Sequence, residues 1–351
     1  MGALILACGL AATLGFAAHR ASVCTVRAVA EVISSRTGYM LASIGKSMLW
    51  VTAVTIPAIL LMPSVGANLL GWPLTGAAVL GGFVFGIGAA INGGCAFSTM
   101  ARLVDGEGGM LVAIVALALG ILCFVTLVDW HWLERPVPTP ALASSLSAWA
   151  SIMALAVLLW SVYEAVRLWR AHPTASWVRD LVLAPQYRLS SAAMLIGLAS
   201  AVIFLIYGSA SYTVTVQQVI EGWHGTRGFP ATERWALLLA LVAGMLLSTV
   251  QRGSFRMDWR PRRIWLRNLC GGLLMGFGVA LTPGGNDALV LYSIPSLSPH
   301  ALPAFLTMMP GIALGLLVMR VFFGIEMRVA CRNDLYILDS PKQPATSPLS
   351  K

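Results

Sequence analysis

Charge is what this sequence has least of. Asp, Glu, Lys and Arg make up 11% of its 351 residues, against about 25% in soluble domains, so water is not the main solvent of the folded chain. Strand-like segments of alternating hydrophobicity between turn signals are missing, which excludes an outer-membrane barrel. The six cysteines (Cys8, Cys24, Cys95, Cys123, Cys270 and Cys331) contain no CxxC and no Cys/His metal spacing. Most of them fall inside apolar runs, so a disulfide framework is excluded too. Cys8, Cys123 and Cys270 read as buried small hydrophobes and Cys331 as a tail residue. His131, His172, His224 and His300 sit in loops without clustering, and His19 lies at the end of a span, where a lone histidine reads as an interface residue. There is no hydrolase triad, Walker loop or dinucleotide fingerprint, so neither enzyme chemistry nor a cofactor is expected. No Lys or Arg precedes the first apolar run, Ala3 to Ala18; the first basic residue is Arg20. A secretory signal carries its charge in front, so residues 2–18 read as a retained span.

What the chain does have is apolar length. It is 58% hydrophobic with a mean hydropathy of +0.81, and runs of roughly 17–25 apolar residues recur, as membrane helices require. The fold class is an all-α polytopic membrane protein. Nine spans are expected at 2–18, 47–62, 74–91, 110–128, 148–168, 191–207, 234–250, 269–281 and 300–322. The net charge of +9 orients them. Arg167, Arg170, Arg179 and Arg188 share one connection; Arg252, Arg256, Arg260, Arg262, Arg263 and Arg267 share another; Arg328 and Arg332 follow the last span. Cytoplasmic connections collect Lys and Arg, which puts 20–46, 92–109, 169–190, 251–268 and the C-terminus inside, and the N-terminus outside. The opposite loops, 63–73, 129–147, 208–233 and 282–299, are nearly free of basic residues. Trp72, Trp130, Trp132 and Trp223 suit a headgroup belt. The flanking spans account for the six-arginine connection, so no nucleic acid is expected as a partner, whereas membrane lipid is. Residues 1–325 form one membrane domain with repeat halves of roughly 1–128 and 191–325 and a connector at 129–190; residues 326–351 form a cytoplasmic tail.

Two glycine-broken interruptions stand out: Gly86 to Thr99 around Asn92-Gly93-Gly94-Cys95, and Gly276 to Asp287 around Pro283-Gly284-Gly285-Asn286. Paired broken helices in corresponding halves point to a substrate site at the membrane midplane. Span 269–281 is too short to cross alone and is expected to combine with 283–295, as 74–91 does with 95–103. Irregular backbone at that depth must face protein or a water-filled cavity. Gly82-x3-Gly86-x-Gly88 matches Gly272-x3-Gly276-x-Gly278 at an offset of 190 in spans of opposite direction, the pattern of an inverted repeat. A weaker match pairs Arg20 to Cys24 with Arg252 to Arg256 in spans of the same direction, which an inverted repeat does not produce.

At the first break, Cys95 is expected in the first turn of a restarted helix, whose free N–H groups and partial positive charge suit an anion; Gly93 and Gly94 permit close approach. The competing reading is tight helix packing through small residues. Ser22 is expected to cap a short helix with Cys24 in its first turn between Arg20 and Arg27, a setting that activates a thiol. Alternatively, the arginines are membrane anchors and Cys24 is passive. Asp287 either caps the helix that follows, pairs with an arginine or carries a proton.

Arg20-Ala-Ser-Val-Cys24-Thr, Asn92-Gly-Gly-Cys95-Ala-Phe-Ser-Thr-Met-Ala-Arg102-Leu and Thr282-Pro-Gly-Gly-Asn-Asp287 resemble the YeeE/YedE family of bacterial inner-membrane sulphur-compound transporters, over about residues 2–325. The resemblance implies an hourglass of tilted and short helices with pseudo-twofold symmetry, and pathway cysteines that contact thiosulfate in turn. Cys24 and Cys95 match two of these; the third family cysteine has no counterpart, since the second break reads Gly285-Asn286-Asp287. The pathway expected is therefore Cys24, Cys95, Gly93, Gly94, Gly284, Gly285, Asn286 and Asp287. A neutral S–H is a weak donor to a soft terminal sulphur, weak enough to release its ion. The alternative is a sulphur-transfer protein working through a cysteine persulfide. A cytoplasmic sulfurtransferase or sulphur carrier protein is the partner that the resemblance implies.

Overall fold

A computed structural model describes residues 1–62, 70–140, 148–171, 184, 186–260 and 263–337. His172, Arg179, Arg262, parts of the 63–73, 129–147 and 169–190 connections, and the tail beyond 337 lie outside the described residues. The helices are α1 (Gly2–Ala21), α2 (Thr25–Ser35), α3 (Tyr39–Leu61), α4 (Gly76–Asn92), α5 (Ala96–Val104), α6 (Gly109–Asp129), α7 (Ala148–Ala171), α8 (Leu189–Tyr207), α9 (Tyr212–Trp223), α10 (Thr232–Arg252), α11 (Arg263–Leu281), α12 (Asn286–Ala288, continued by a π-helical stretch Leu289–Ser293) and α13 (Ala301–Phe323). Two short strand pairs are antiparallel: β1 (Leu70–Gly71) with the distant β2 (Thr139–Pro140), and the hairpin of β3 (Ala330–Arg332) with β4 (Leu335–Ile337). Among the described residues, nine helical stretches are long and apolar enough to cross a bilayer. The chain is an all-α polytopic membrane protein.

Four times, a long helix breaks, a short helix follows, and a second long helix returns: α1–α2–α3, α4–α5–α6, α8–α9–α10 and α11–α12–α13. The packing ties the first unit to the third and the second to the fourth. α1 lies on α10 and α3 on α8; α4 lies on α13 and α6 on α11. Exchanging the halves maps each of these contacts onto its partner. The equivalent helices α4 and α11 run antiparallel, since Gly81 meets Gly278 and Thr282 while Gly88 meets Gly271 and Met275. A twofold axis relating antiparallel helices runs perpendicular to them, which is the geometry of an inverted repeat.

Glycine makes this crossing close. A Cβ on Gly88 would come 2.6 Å from the Met275 nitrogen, and one on Gly278 would come 2.6 Å from the Phe85 nitrogen. Dispersion between closely approaching backbones replaces the hydrophobic drive that lipid does not supply. Both helices then end in the same way. Gly94 N–H reaches Ala89 O at 3.0 Å, and Gly284 N–H reaches Val279 O at 3.0 Å, the long hydrogen bond of a Schellman ending. Gly93 takes the left-handed conformation that this ending needs, with φ +79°.

Several expectations are corrected. α11 begins six residues before 269 and has 19 residues, about 28 Å at 1.5 Å per residue; it spans by length alone, without the broken segment. Arg263 and Arg267 made its first turns read as connection, although long basic side chains at a span end can reach the interface. The expected loops 208–233 and 282–299 each contain a helix, α9 in the first and α12 with its π-helical continuation in the second. The weaker match of Arg20 to Cys24 with Arg252 to Arg256 is, as its direction implied, not one of symmetry mates. α1 and α10 lie side by side, with Arg20 Nη2 donating to Gln251 Oε1 at 2.8 Å. Cys123 and Cys270 are exposed on the outer face and Cys8 is half-buried, so none is a core residue. Cys331 is buried on β3, which packs against α2. His19 is buried: its ring contacts Ser248 Oγ at 2.8 Å and Asp105 Oδ1 at 3.1 Å. Burial pushes the Asp105 carboxyl up, but hydrogen bonds from His19, Ser254 and Thr249 outweigh it and hold the group below the usual carboxylate range.

Candidate functional site

The four short helices begin close to one another in the interior. Ser22 does not cap α2; it ends α1 in the left-handed conformation (φ 53°), and Cys24 is itself the N-cap of α2. Cys95 is likewise the N-cap of α5 rather than a first-turn residue. α9 starts at Ser211, whose hydroxyl accepts from Val214 N–H at 3.2 Å, and α12 starts at Gly285. Under the twofold exchange Cys24 corresponds to Ser211 and Cys95 to Gly285.

The Cys24 and Cys95 side chains are neighbours at the starts of α2 and α5, and both residues are about 1% exposed. The Cys24 thiol faces the backbone at Arg27 and Cys95; the Cys95 thiol faces the backbone at Ser98 and Thr25. Each sulphur therefore sits at the positive end of its own helix and against that of its neighbour. Asn92 braces the break from below: its Nδ2 donates to Gly94 O at 3.1 Å and Thr99 Oγ1 at 2.8 Å. Ser98 Oγ and Asn286 Oδ1 are buried without hydrogen-bond partners among the described residues.

The second pair of short helices is filled differently. Asp287 accepts from Thr213 Oγ1 at 2.6 Å and Thr213 N–H at 3.1 Å, and Thr213 Oγ1 accepts from Gly285 N–H at 3.0 Å. Asp287 thus caps α9, not the helix that follows it, and among the described residues no salt bridge joins it to an arginine. A carboxylate from the chain itself occupies this N-terminal pocket. A Cβ at Gly285 would meet Thr213 Cγ2 at 2.7 Å and Asp287 Oδ1 at 3.0 Å, so a third thiol has no room where symmetry would put one. Asn286 links the pairs, with Nδ2 donating to Thr25 Oγ1 at 3.2 Å.

Cavities lead to this centre from both ends. One of about 930 Å³ lies among Trp72, Gln218, Arg227, Arg234 and Tyr292. A void of about 20 Å³ under Phe97, Leu291 and Tyr292 follows, then one of about 50 Å³ that touches Cys24, Asn286 and Asp287. At the opposite end a cavity of about 290 Å³ reaches Gly93, Arg27, Arg102 and Arg267. Phe97, Leu291 and Tyr292 stand between the larger cavity and the thiols.

Of the residues singled out from the sequence, Cys24, Cys95, Asn286 and Asp287 converge. Gly93 and Gly94 lie on the arginine side of Cys95, while Gly284 and Gly285 stand beside Thr213 and Ala288. Thr25, Phe97, Thr213 and Tyr292 escaped sequence reasoning. Ser211, a good N-cap after Gly208, was the one available signal for α9, but the β-branched run Thr213-Val-Thr-Val216 does not favour helix.

Among the described residues, nine candidate spans, interior helix breaks and cavities on both sides of a narrow polar centre are features of membrane transporters. The sequence profile described as sulphur transport matches residues 20–314, and the chain belongs to that family, the YeeE/YedE family. The family is one of transporters, and the protein is a sulphur-compound transporter. Among curated proteins, none matches the chain.

Proposed function

We propose that this chain is a multi-pass permease of the bacterial inner membrane that carries a thiosulfate-like sulphur dianion inward past Cys24 and Cys95. The observation that carries the reading is that these two buried thiols are neighbours where the starts of α2 and α5 meet, between cavities on either side. Backbone N–H groups at two helix starts attract the anion, and neutral thiols offer its terminal sulphur weak donors that release it readily. Gly93, Gly94, Gly284 and Gly285 give the backbone its bends, and Asn286 presents an unpaired carbonyl oxygen that can accept from a water in the anion's shell. Asp287 positions the pathway by pinning α9 and α12 together. The pseudo-symmetry supports the anion reading: the equivalent N-terminal pocket already holds a carboxylate, that of Asp287.

In this reading the N-terminus faces the periplasm and the arginine-rich end faces the cytoplasm, where a sulfurtransferase or sulphur carrier protein would receive the cargo. Lipid contacts the exposed apolar faces, and Trp130, Trp132 and Trp223, each more than two-thirds exposed, lie at headgroup level. Residues 1–325 work as one transport domain. The test is uptake of labelled thiosulfate, sulfate, sulfite and selenium analogues by cells expressing the chain. Anions with a soft terminal atom are expected to be taken up at least tenfold faster than sulfate; equal rates would refute the thiol path.

A further inference from the structure

Beneath the Gly93-Gly94 bend, on the far side of Cys95 from the outer cavity, three arginines converge without enough acid to balance them. Arg102 gives Nε and Nη2 to Glu107, which leaves Nη1 free. That Nη1 lies 3.8 Å, and Arg267 Nη2 3.5 Å, from where a Cβ on Gly93 would stand. The two guanidinium groups are near enough to repel one another. Arg267 Nε is buried without a hydrogen-bond partner, and among the described residues Arg267 makes no ion pair. Arg27 completes the set; its Nη1 donates only to Ser22 O, at 3.3 Å, and its guanidinium lies 5.2 Å from the Tyr336 ring centre.

The β3–β4 hairpin covers this cavity. Asn333 and Asp334 both take positive φ, as a two-residue type I′ hairpin turn requires. Val329 O accepts from Ser34 Oγ at 3.0 Å and Ser35 Oγ at 2.8 Å, fixing the hairpin to α2, while Met327, Val329 and Tyr336 line the cavity. Like charges held together beside an empty volume are stabilised by an anion between them, and guanidinium forks suit a planar pair of oxygens on a sulphur or phosphorus atom.

We propose that Arg27, Arg102 and Arg267 under this hairpin form an inner site for a tetrahedral divalent oxyanion, separate from the thiol pair, where the transported anion rests before it leaves. The site deepens the transport reading and rests on it for its cargo, but its binding is measurable without transport. The experiment is equilibrium binding of labelled sulfate and thiosulfate to purified full-length protein at fixed ionic strength, in wild type, Cys95→Ala, Arg267→Gln, Arg267→Lys and Arg27→Gln. Binding is expected to persist in Cys95→Ala, to weaken at least tenfold in Arg267→Gln and Arg27→Gln, and to recover in part in Arg267→Lys. Unchanged binding in both glutamine variants, each monodisperse by gel filtration, would overturn the proposal while leaving the thiol path standing. A lipid phosphate shares this chemistry, so the assay is repeated in nanodiscs of phosphatidylcholine with and without phosphatidylglycerol. Sulfate binding that survives phosphatidylglycerol supports the small-anion site; complete displacement assigns the arginines to a lipid headgroup and overturns it.

Discussion

Removing the Asp287 side chain tests how the interior pocket is held. The carboxylate is 3% exposed and receives both the Thr213 hydroxyl, at 2.6 Å, and the Thr213 N–H, at 3.1 Å. Asp287→Ala strands both donors inside the protein, and each buried unsatisfied donor costs about 1–3 kcal/mol. Loss of an anion from the start of α9 adds up to about 2 kcal/mol. Relief of the carboxylate's own burial offsets part of this, leaving a net destabilisation of about 2–4 kcal/mol. Asp287→Asn keeps one acceptor for Thr213 but turns an amide donor toward the other, so about half that loss is expected. Unfolding in detergent gives the stability change, and hydrogen exchange at Val214 and Thr215 reports whether α9 loosens first. An Asp287→Ala protein with the wild-type midpoint and unchanged exchange in α9 would refute the reasoning.

The connector span α7 hangs on a buried carboxylate: Glu164 takes Lys46 Nζ at 3.0 Å and Arg167 Nη2 at 2.5 Å. Hydrogen bonds to a charged group contribute about 1.5–3 kcal/mol, and the partners left behind are partly exposed, so Glu164→Ala should loosen α7 from α3, read as faster proteolytic cleavage of α7; unchanged cleavage would contradict it. His300, fully buried, donates its backbone N–H to Trp72 O and pairs its ring Nδ1 with Ser298 Oγ at 2.9 Å. Burial, only partly offset by the contact with the Trp72 backbone, lowers its pKa from 6.5 to about 4. The unfolded chain then binds the extra proton first, so stability is full above pH ~6.5 and falls as the pH drops toward 4, by at most about 3 kcal/mol. His300→Gln should flatten that slope in a pH series of unfolding midpoints; an equal slope would exclude His300 as its source.

Much of this architecture was legible because apolar length and arginine placement are direct readouts of a bilayer. All nine expected spans have helix counterparts with at least one end within about three residues, the usual uncertainty of boundaries. The starts of α3 and α11 were placed too late, and in α11 Arg263 and Arg267 lie inside the helix. The repeat was visible in Gly82-x3-Gly86-x-Gly88 and its mate because glycine is required wherever two backbones touch. The first unit's mate was not visible, since α1 and α8 carry no shared glycine pattern and α9 is written in β-branched residues. Cys24 and Cys95 could be named as candidates, but their proximity could not: it depends on two helix starts 71 residues apart in sequence meeting in the interior. The partner of Asp287 was hidden for the same reason, because Thr213 lies in another unit.

The central claim is that the sulphur anion passes the Cys24–Cys95 pair, and inward uptake of labelled thiosulfate by cells expressing Cys95→Ala tests it most directly. Cys95 makes no side-chain capping hydrogen bond to α5, so the variant should still fold and insert, with only a small loss of stability from the buried sulphur. Uptake is expected to fall at least tenfold, with Cys24→Ala behaving alike. Wild-type uptake by a Cys95→Ala protein present at normal levels in the membrane would contradict the account.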